Sequence, residues 1–300
     1  MKIFYTDHFV LPLPPTHSFP MQKYALLRQR IVESGLLATH QLLVPPAATD
    51  EEIDRVHDPA YRRRVERGEL TETELRRLGF PWSPELVERA RRSAGATVAA
   101  CRAAFEDGCA VNLAGGTHHA YRDRGEGYCV FNDSAIAARA MQAEGRARRV
   151  VILDADVHQG NGTAAIFAHD PTVYTFSIHA AKNFPPRKEK SDLDIALPDK
   201  TGDAAYLAAL ERGVRQALTA ARADLAIYLA GADPYVGDRL GRLSVSKRGL
   251  AERDRIVFDA CQAAGIPVAV ALAGGYAKPL EDTVDIHFQT VRSAAERARR

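Results

Sequence analysis

Histidine, aspartate and tyrosine recur in this chain at the ends of apolar runs. Residues 109–114 lead into Gly115-Gly116-Thr117-His118-His119. Residues 150–154 lead into Asp154-Ala155-Asp156-Val157-His158-Gln159-Gly160-Asn161-Gly162-Thr163. Ser177-Ile178-His179 closes a third run, Gly231-Ala232-Asp233-Pro234 follows a fourth, and Gly274-Gly275-Tyr276 follows a fifth. Asp156 and His158 are two residues apart, so on an extended segment they face the same side. Asp233 comes from a different run. Two carboxylates and one imidazole suit zinc or another divalent transition metal. Three protein ligands leave positions for water and substrate, the arrangement of a catalytic rather than a structural site. A competing reading has Asp156 or Asp233 capping the helix that follows, and Asp before Pro is also a common turn starter.

Elements of defined type must bring these groups together. The five runs are short and mostly Val, Ile, Leu and Ala, as expected of parallel strands buried on both faces. Helical patterns lie between them. Ser83 suits an N-cap and Pro84 a first turn. Val87, Ala90, Ala94, Val98, Cys101 and Phe105 then recur at helical spacing until Gly108. Residues 204–223 and 248–264 read as further helices. Alternation of strand and helix predicts one three-layer α/β/α domain over residues 1–300 with a mostly parallel central sheet. The first 80 residues read as helices and loops wrapped on that layer, with residues 11–15 and 44–48 as connections. In open parallel sheets ligands bind at the carboxyl ends of the strands, where these polar clusters fall.

Composition narrows the function classes. Apolar residues make up 46% and charged residues 26% of the 300, as in ordinary globular proteins. Forty Lys and Arg against 38 Asp and Glu leave +2, too balanced for a dedicated nucleic-acid or anionic-membrane binder. The longest apolar stretch, residues 265–277, contains Pro267 and is too short to span a bilayer. The N-terminal Met1-Lys2-Ile3-Phe4-Tyr5-Thr6-Asp7 lacks a signal-peptide core. Cys101, Cys109, Cys129 and Cys261 form no CxxC pair, so the expected location is a reducing cytoplasm.

These clusters, together with Gly127-Tyr128-Cys129-Val130-Phe131-Asn132-Asp133, resemble the histone deacetylase family within the arginase–deacetylase fold. Pro15-Thr16-His17-Ser18-Phe19-Pro20-Met21-Gln22-Lys23-Tyr24 and Lys182-Asn183-Phe184-Pro185-Pro186-Arg187-Lys188-Glu189 are similar to the compact bacterial branch near the class IV deacetylases. The resemblance implies a zinc-dependent amide hydrolase, with Fe²⁺ as the other metal, acting on N6-acetyl-lysine or a related acylated amine. Asp156, His158 and Asp233 would hold the metal. His119 would be the principal general base, His118 would tune the charge, and Tyr276 would donate to the oxyanion. Asp154 would hold His118. Asn161, where some relatives carry Asp, would orient His119. A structural K⁺ would be bound by the Asp154 side chain, the carbonyls of Asp156 and His158, and the Ser177 hydroxyl. Tyr128 and Phe184 would wall a substrate tunnel, with the Gly127 carbonyl accepting the substrate N–H. Leu240 fits the rim position where polyamine-selective relatives carry an acid, although Asp238 is near.

Other readings are set against this one. A binuclear manganese ureohydrolase has the same architecture but typically carries a DxHxD run, absent here. A non-enzymatic acyl-lysine reader would not need an intact set of catalytic residues. His8, His57, His169, His179 and His287 are expected to be structural or surface groups. The arginines at 62–64, 89–92 and 297–300 read as solvated helix faces. No nucleic acid or membrane partner is expected, and the oligomeric state is left open.

Overall fold

The computed structural model describes residues 1–298. Eight strands make one sheet: β1 (Ile3–Phe4), β2 (Leu42–Leu43), β3 (Cys109–Asn112), β4 (Val150–Asp154), β5 (Val173–Ala180), β6 (Leu193–Leu197), β7 (Leu225–Leu229) and β8 (Val268–Ala271). Their order is β2-β1-β3-β8-β7-β4-β5-β6, and every pairing is parallel. The five apolar runs are the five central strands, β3, β4, β5, β7 and β8. The sequence reading missed three outer strands. β1 and β2 are too short to show a period. β6, Leu-Asp-Ile-Ala-Leu, is a partly exposed edge strand.

Among the described residues, ten α-helices accompany the sheet: α1 (Gln22–Glu33), α2 (Asp50–Asp54), α3 (Pro59–Arg67), α4 (Glu72–Leu78), α5 (Pro84–Asp107), α6 (Asp133–Ala143), α7 (Asn161–Phe167), α8 (Asp203–Ala221), α9 (Lys247–Ala263) and α10 (Leu280–Ala298). The two-residue period of a strand divides them into layers. Val150 and Ile152 of β4 face one core, built with α5 and α6. Val151 and Leu153 face the other, built with α1, α8, α9 and α10. The Ser83 hydroxyl accepts from Leu86 N at the start of α5, and Gly108 ends it in a positive-φ conformation at 76°. Among the described residues, no helix is long and apolar enough to cross a membrane.

The arginine clusters are not uniformly solvated. Arg62 is buried, pairing with Asp50, Asp54 and Glu66. Arg89 is buried and donates to the carbonyls of Thr6 and Phe9, fixing the first loop onto α5. Burial of a charge requires partners: those of Arg62 lie nearby on α2 and α3, Glu66 at i+4, whereas those of Arg89 are 80 and 83 residues away. Arg297 pairs with Asp259, while Arg299 and Arg300 lie outside the described residues.

Gly95 lets α5 cross the 46–48 segment. A Cβ there would lie 2.1 Å from the Pro46 carbonyl oxygen and 2.8 Å from Ala48 N. Alanine is the better helix former by about 1 kcal/mol, but backbone atoms cannot swing aside as a side chain can. Overpacking of this kind costs about 1–3 kcal/mol. Gly95→Ala is therefore expected to lower Tm by a few degrees in thermal unfolding followed by circular dichroism. An unchanged or raised Tm would contradict the packing argument.

Candidate active site

Five adjacent strands deliver the polar clusters to one edge of the sheet. β4 ends at Asp154, paired with Ser177 of β5 on one side and Leu229 of β7 on the other. The chain beyond Asp154 is bent, not extended. Asp156 and His158 therefore meet by hydrogen bonding and not by strand alternation. Asp154 Oδ1 accepts from Asp156 N at 3.1 Å, and Asp156 Oδ1 accepts from His158 N at 2.9 Å. Asp233 Oδ1 accepts from Val157 N at 2.9 Å, tying the β7 loop to the β4 loop. Neither Asp156 nor Asp233 caps a helix: α7 begins after Gly160 with no side-chain cap, and Ser246 caps α9.

Asp156, His158 and Asp233 each offer one ligand atom, and these atoms lie within 4.8 Å of one another. His158 Nδ1 is 3.0 Å from Asp156 Oδ1 and 3.4 Å from Asp233 Oδ2. Burial disfavours charge on His158, but the two carboxylates outweigh it and hold its pKa up at about 10. Burial, reinforced by the Asp156 charge, raises Asp233 to about 7. Gly274 packs directly on the pair. Its N–H donates to Asp156 Oδ2 at 3.0 Å, and a Cβ there would sit 2.1 Å from Asp233 Oδ2.

The two neighbouring histidines stand beside this cluster, with their Nε2 atoms 3.2 Å apart. His118 Nδ1 donates to Asp154 Oδ2 at 2.6 Å, and His119 Nδ1 donates to Asn161 Oδ1 at 2.5 Å. Asn161 Nδ2 in turn donates to the Tyr121 hydroxyl at 3.0 Å, which fixes the amide so that its oxygen faces His119. Both Nδ1 atoms are thus protonated, and the chemistry is left to Nε2. The environments separate the rings. Burial opposes charge on His118, but Asp154 and Asp156 raise it to about 9. Burial, then the charges of His118 and His158, push His119 well below the usual imidazole range. The pair holds one proton between its Nε2 atoms, on His118. Tyr276 is 7% exposed, and burial keeps its phenol protonated.

A cavity of about 450 Å³ opens onto these groups. Tyr128 and Phe184 line it, the Phe184 ring standing edge-on to His119 at 4.8 Å between centroids. Gly127, at φ 54°, leaves room for that contact: a Cβ would lie 2.8 Å from His119 Cδ2. Tyr128 holds a positive φ of 68°, uncommon for a bulky residue. Leu240 lies at the rim, 41% exposed. Asp238 turns inward, accepting from the N–H groups of Leu240, Gly241 and Tyr276. Ser177 is buried, its hydroxyl 3.0 Å from His179 Nδ1. His57, His179 and His287 are buried, whereas His8 and His169 are exposed.

Three contributors escaped the sequence reading. Tyr121 orients Asn161. Asn183 Nδ2 lies 3.3 Å from His158 Nε2 and donates to Leu240 O at 2.6 Å. Asp133 accepts from the N–H groups of Gly116 and Thr117, shaping the turn before the histidines. Asn183 and Asp133 fall inside the family-like segments, but nothing in residue type or spacing marks these three as supports.

Comparison with known proteins agrees with this architecture. A family model described as the histone deacetylase domain matches residues 17–291. An uncharacterized protein of Picosynechococcus is 43% identical over 98% of each chain. The histone deacetylase-like amidohydrolase of Pseudomonas aeruginosa is 32% identical, over 89% of this chain and 74% of that one. A crystal structure of an HDAC homolog complexed with SAHA has a TM-score of 0.84, covering 100% of this chain and 84% of that one at 22% identity. The last of these shows the fold, which is the arginase–deacetylase fold. The family match runs through every loop that builds the polar edge, and the chain belongs to the histone deacetylase family, a deacetylase-type amidohydrolase.

Proposed function

We propose that the chain is a zinc-dependent hydrolase that removes an acyl group, foremost acetyl, from N6-acyl-lysine or a related acylated amine. The carrying observation is the convergence of Asp156, His158 and Asp233 beside two histidines, one held by Asp154 and the other by Asn161. The residues fit a divalent cation. Asp233 Oδ2 is buried and lacks a hydrogen-bond partner, and two oxygens with one nitrogen suit Zn²⁺ or Fe²⁺. Among the described residues this is the one group of three such side chains whose ligand atoms converge, which disfavours the binuclear ureohydrolase reading. K⁺ is proposed at Asp154, the carbonyls of Asp156 and His158, and Ser177. There Ser177 can donate to His179 and turn its lone pairs to the ion.

When bound, such a divalent ion polarises an amide carbonyl and acidifies the attacking water. The protein's own groups do the rest. His119 Nε2 takes the proton of the water and later returns it to the leaving amine. His118, held by Asp154, keeps positive charge beside the reaction. Tyr276 donates its phenolic hydrogen to the oxygen on which negative charge develops. Tyr128 and Phe184 flank the alkyl stem, and the Gly127 carbonyl accepts the substrate N–H.

Leu240 at the rim, with Asp238 consumed by three backbone donors, offers no free carboxylate for a polyamine and favours a lysine stem. The four cysteines are free and buried, in keeping with a cytoplasmic enzyme. The test is elemental analysis of purified protein, with chelation and add-back, plus turnover of acetyl-lysine peptides, acetylpolyamines and small acetylamides. One divalent ion per chain and preferred turnover of acyl-lysine are expected. Two catalytic ions per chain would overturn the reading, and turnover of the polyamines alone would overturn the lysine-stem preference.

A further inference from the structure

The cavity that contains the catalytic groups also reaches four cations that the mechanism does not use: Arg76 and Arg77, which are exposed, and Lys23 and Arg89, which are buried. Lys23 is 4% exposed and Arg89 is 6% exposed, yet both line it. Lys23 Nζ donates to the Ala273 carbonyl at 3.2 Å and stands 5.6 Å from the centroid of the Tyr276 ring. Arg89 uses Nη1 for the carbonyls of Thr6 and Phe9, and its guanidinium stacks on Tyr24 at 4.4 Å. Lys23 Nζ is 5.2 Å from that same Tyr24 ring. Among the described residues, neither cation has an Asp or Glu oxygen within ion-pair distance. Carbonyls and rings offset part of the desolvation of a buried charge, but two like charges against one ring, with no anion, leave much of it uncompensated. Leu11, Leu86, Ala90 and Ala114 line the same cavity and are apolar.

Apolar walls together with buried cations suit a particular guest: a methylene chain that ends in a carboxylate. Tyr276 is placed at the acyl oxygen by the reading of the site given above, on which this inference rests. Lys23 lies against the ring of that same tyrosine, so a carboxylate a few methylenes beyond the acyl carbon falls within its reach. We propose that the inner end of the cavity selects, among acyl groups longer than acetyl, those carrying a distal carboxylate, of the succinyl and glutaryl class, with Lys23 and Arg89 as the specificity-determining residues. Water adds its hydroxyl to the acyl carbon, the amide C–N bond breaks, and the amine leaves with the remaining proton. The products are a short dicarboxylate and free lysine, with no further reactant.

The experiment uses metal-loaded enzyme and one peptide sequence bearing acetyl-, butyryl-, pentanoyl-, succinyl- or glutaryl-lysine. A charge-assisted contact should make kcat/KM about ten- to a hundredfold higher for an acidic acyl group than for the neutral group of matched length. Lys23→Met should collapse that ratio towards unity, and Lys23→Arg should keep it. Arg89→Lys gives a second reading that retains a charge on α5. Comparable turnover of acidic and neutral groups, or a ratio unaffected by Lys23→Met, overturns the proposal. Inhibition by free acetate that Lys23→Met relieves, with no preference for acidic acyl groups, also overturns it and marks the cations as a site for the leaving acid. Turnover of acetyl- and butyryl-lysine without this preference leaves the hydrolase reading standing. No turnover of any acyl-lysine removes both.

Discussion

Replacing His119 by alanine will lower kcat by about two to four orders of magnitude, the usual worth of positioned proton transfer, and leave the metal content unchanged. The contrast with Asp156→Ala makes the result diagnostic. Asp156 contributes an oxygen to the three-atom cluster and also organises it, accepting from His158 N and Gly274 N. Its loss should abolish turnover and metal binding together. His119 touches the cluster from outside, its Nδ1 committed to Asn161, so the ligands survive its removal. Elemental analysis of the two purified variants, beside their turnover, separates proton transfer from ligation. Equal metal loss in both would show that base and ligand had been confused.

Tyr276→Phe is the second large effect expected. Only a hydroxyl is removed, from a ring packed near Phe19 and Tyr128, so the fold and the metal should be retained. A donor to charge that exists only during the reaction acts on the transition state. kcat should therefore fall by about 10²–10³, and KM should change little where it reports binding. The variant should still hold acyl-lysine, which suits it to trapping a complex. Near-normal kcat on the best substrate would remove Tyr276 from the oxyanion role and leave polarisation to the metal alone.

The central sheet was legible because buried parallel strands write themselves as continuous apolar runs, and β4 and β7 are the clearest cases. α5 was legible at both ends from Ser83, Pro84 and Gly108. Two-residue strands such as β1 carry no period and join the sheet only because β3 is already there. The candidate ligands were legible by residue type and spacing, but the route to their convergence was not. A bent β4 loop, pinned by Asp233 to Val157 N, replaces the extended segment expected. Buried Arg89 defeated local reasoning because its partners, the carbonyls of Thr6 and Phe9, lie elsewhere in the chain, whereas Arg62 is enclosed by nearby Asp50, Asp54 and Glu66. The supports Tyr121, Asp133 and Asn183 matter through hydrogen bonds that no spacing rule encodes.

The strand order has a consequence for how the enzyme comes into being. β3 is made early, but its inner neighbour is β8, with Cys109 opposite Val268. At ordinary synthesis rates the gap between the two is about 10–30 s. Through that interval β3 exposes an unpaired apolar edge, the kind of surface on which chains aggregate and chaperones act. His118 and His119 are made early in that interval, Asp233 late in it, and Tyr276 only after β8. The ribosome-bound chain therefore holds the proposed base, and later the candidate ligands, before the proposed oxyanion donor. Tyr276 follows β8 in the chain, so a chain that ends before β8 lacks the proposed oxyanion donor as well as the inner neighbour of β3.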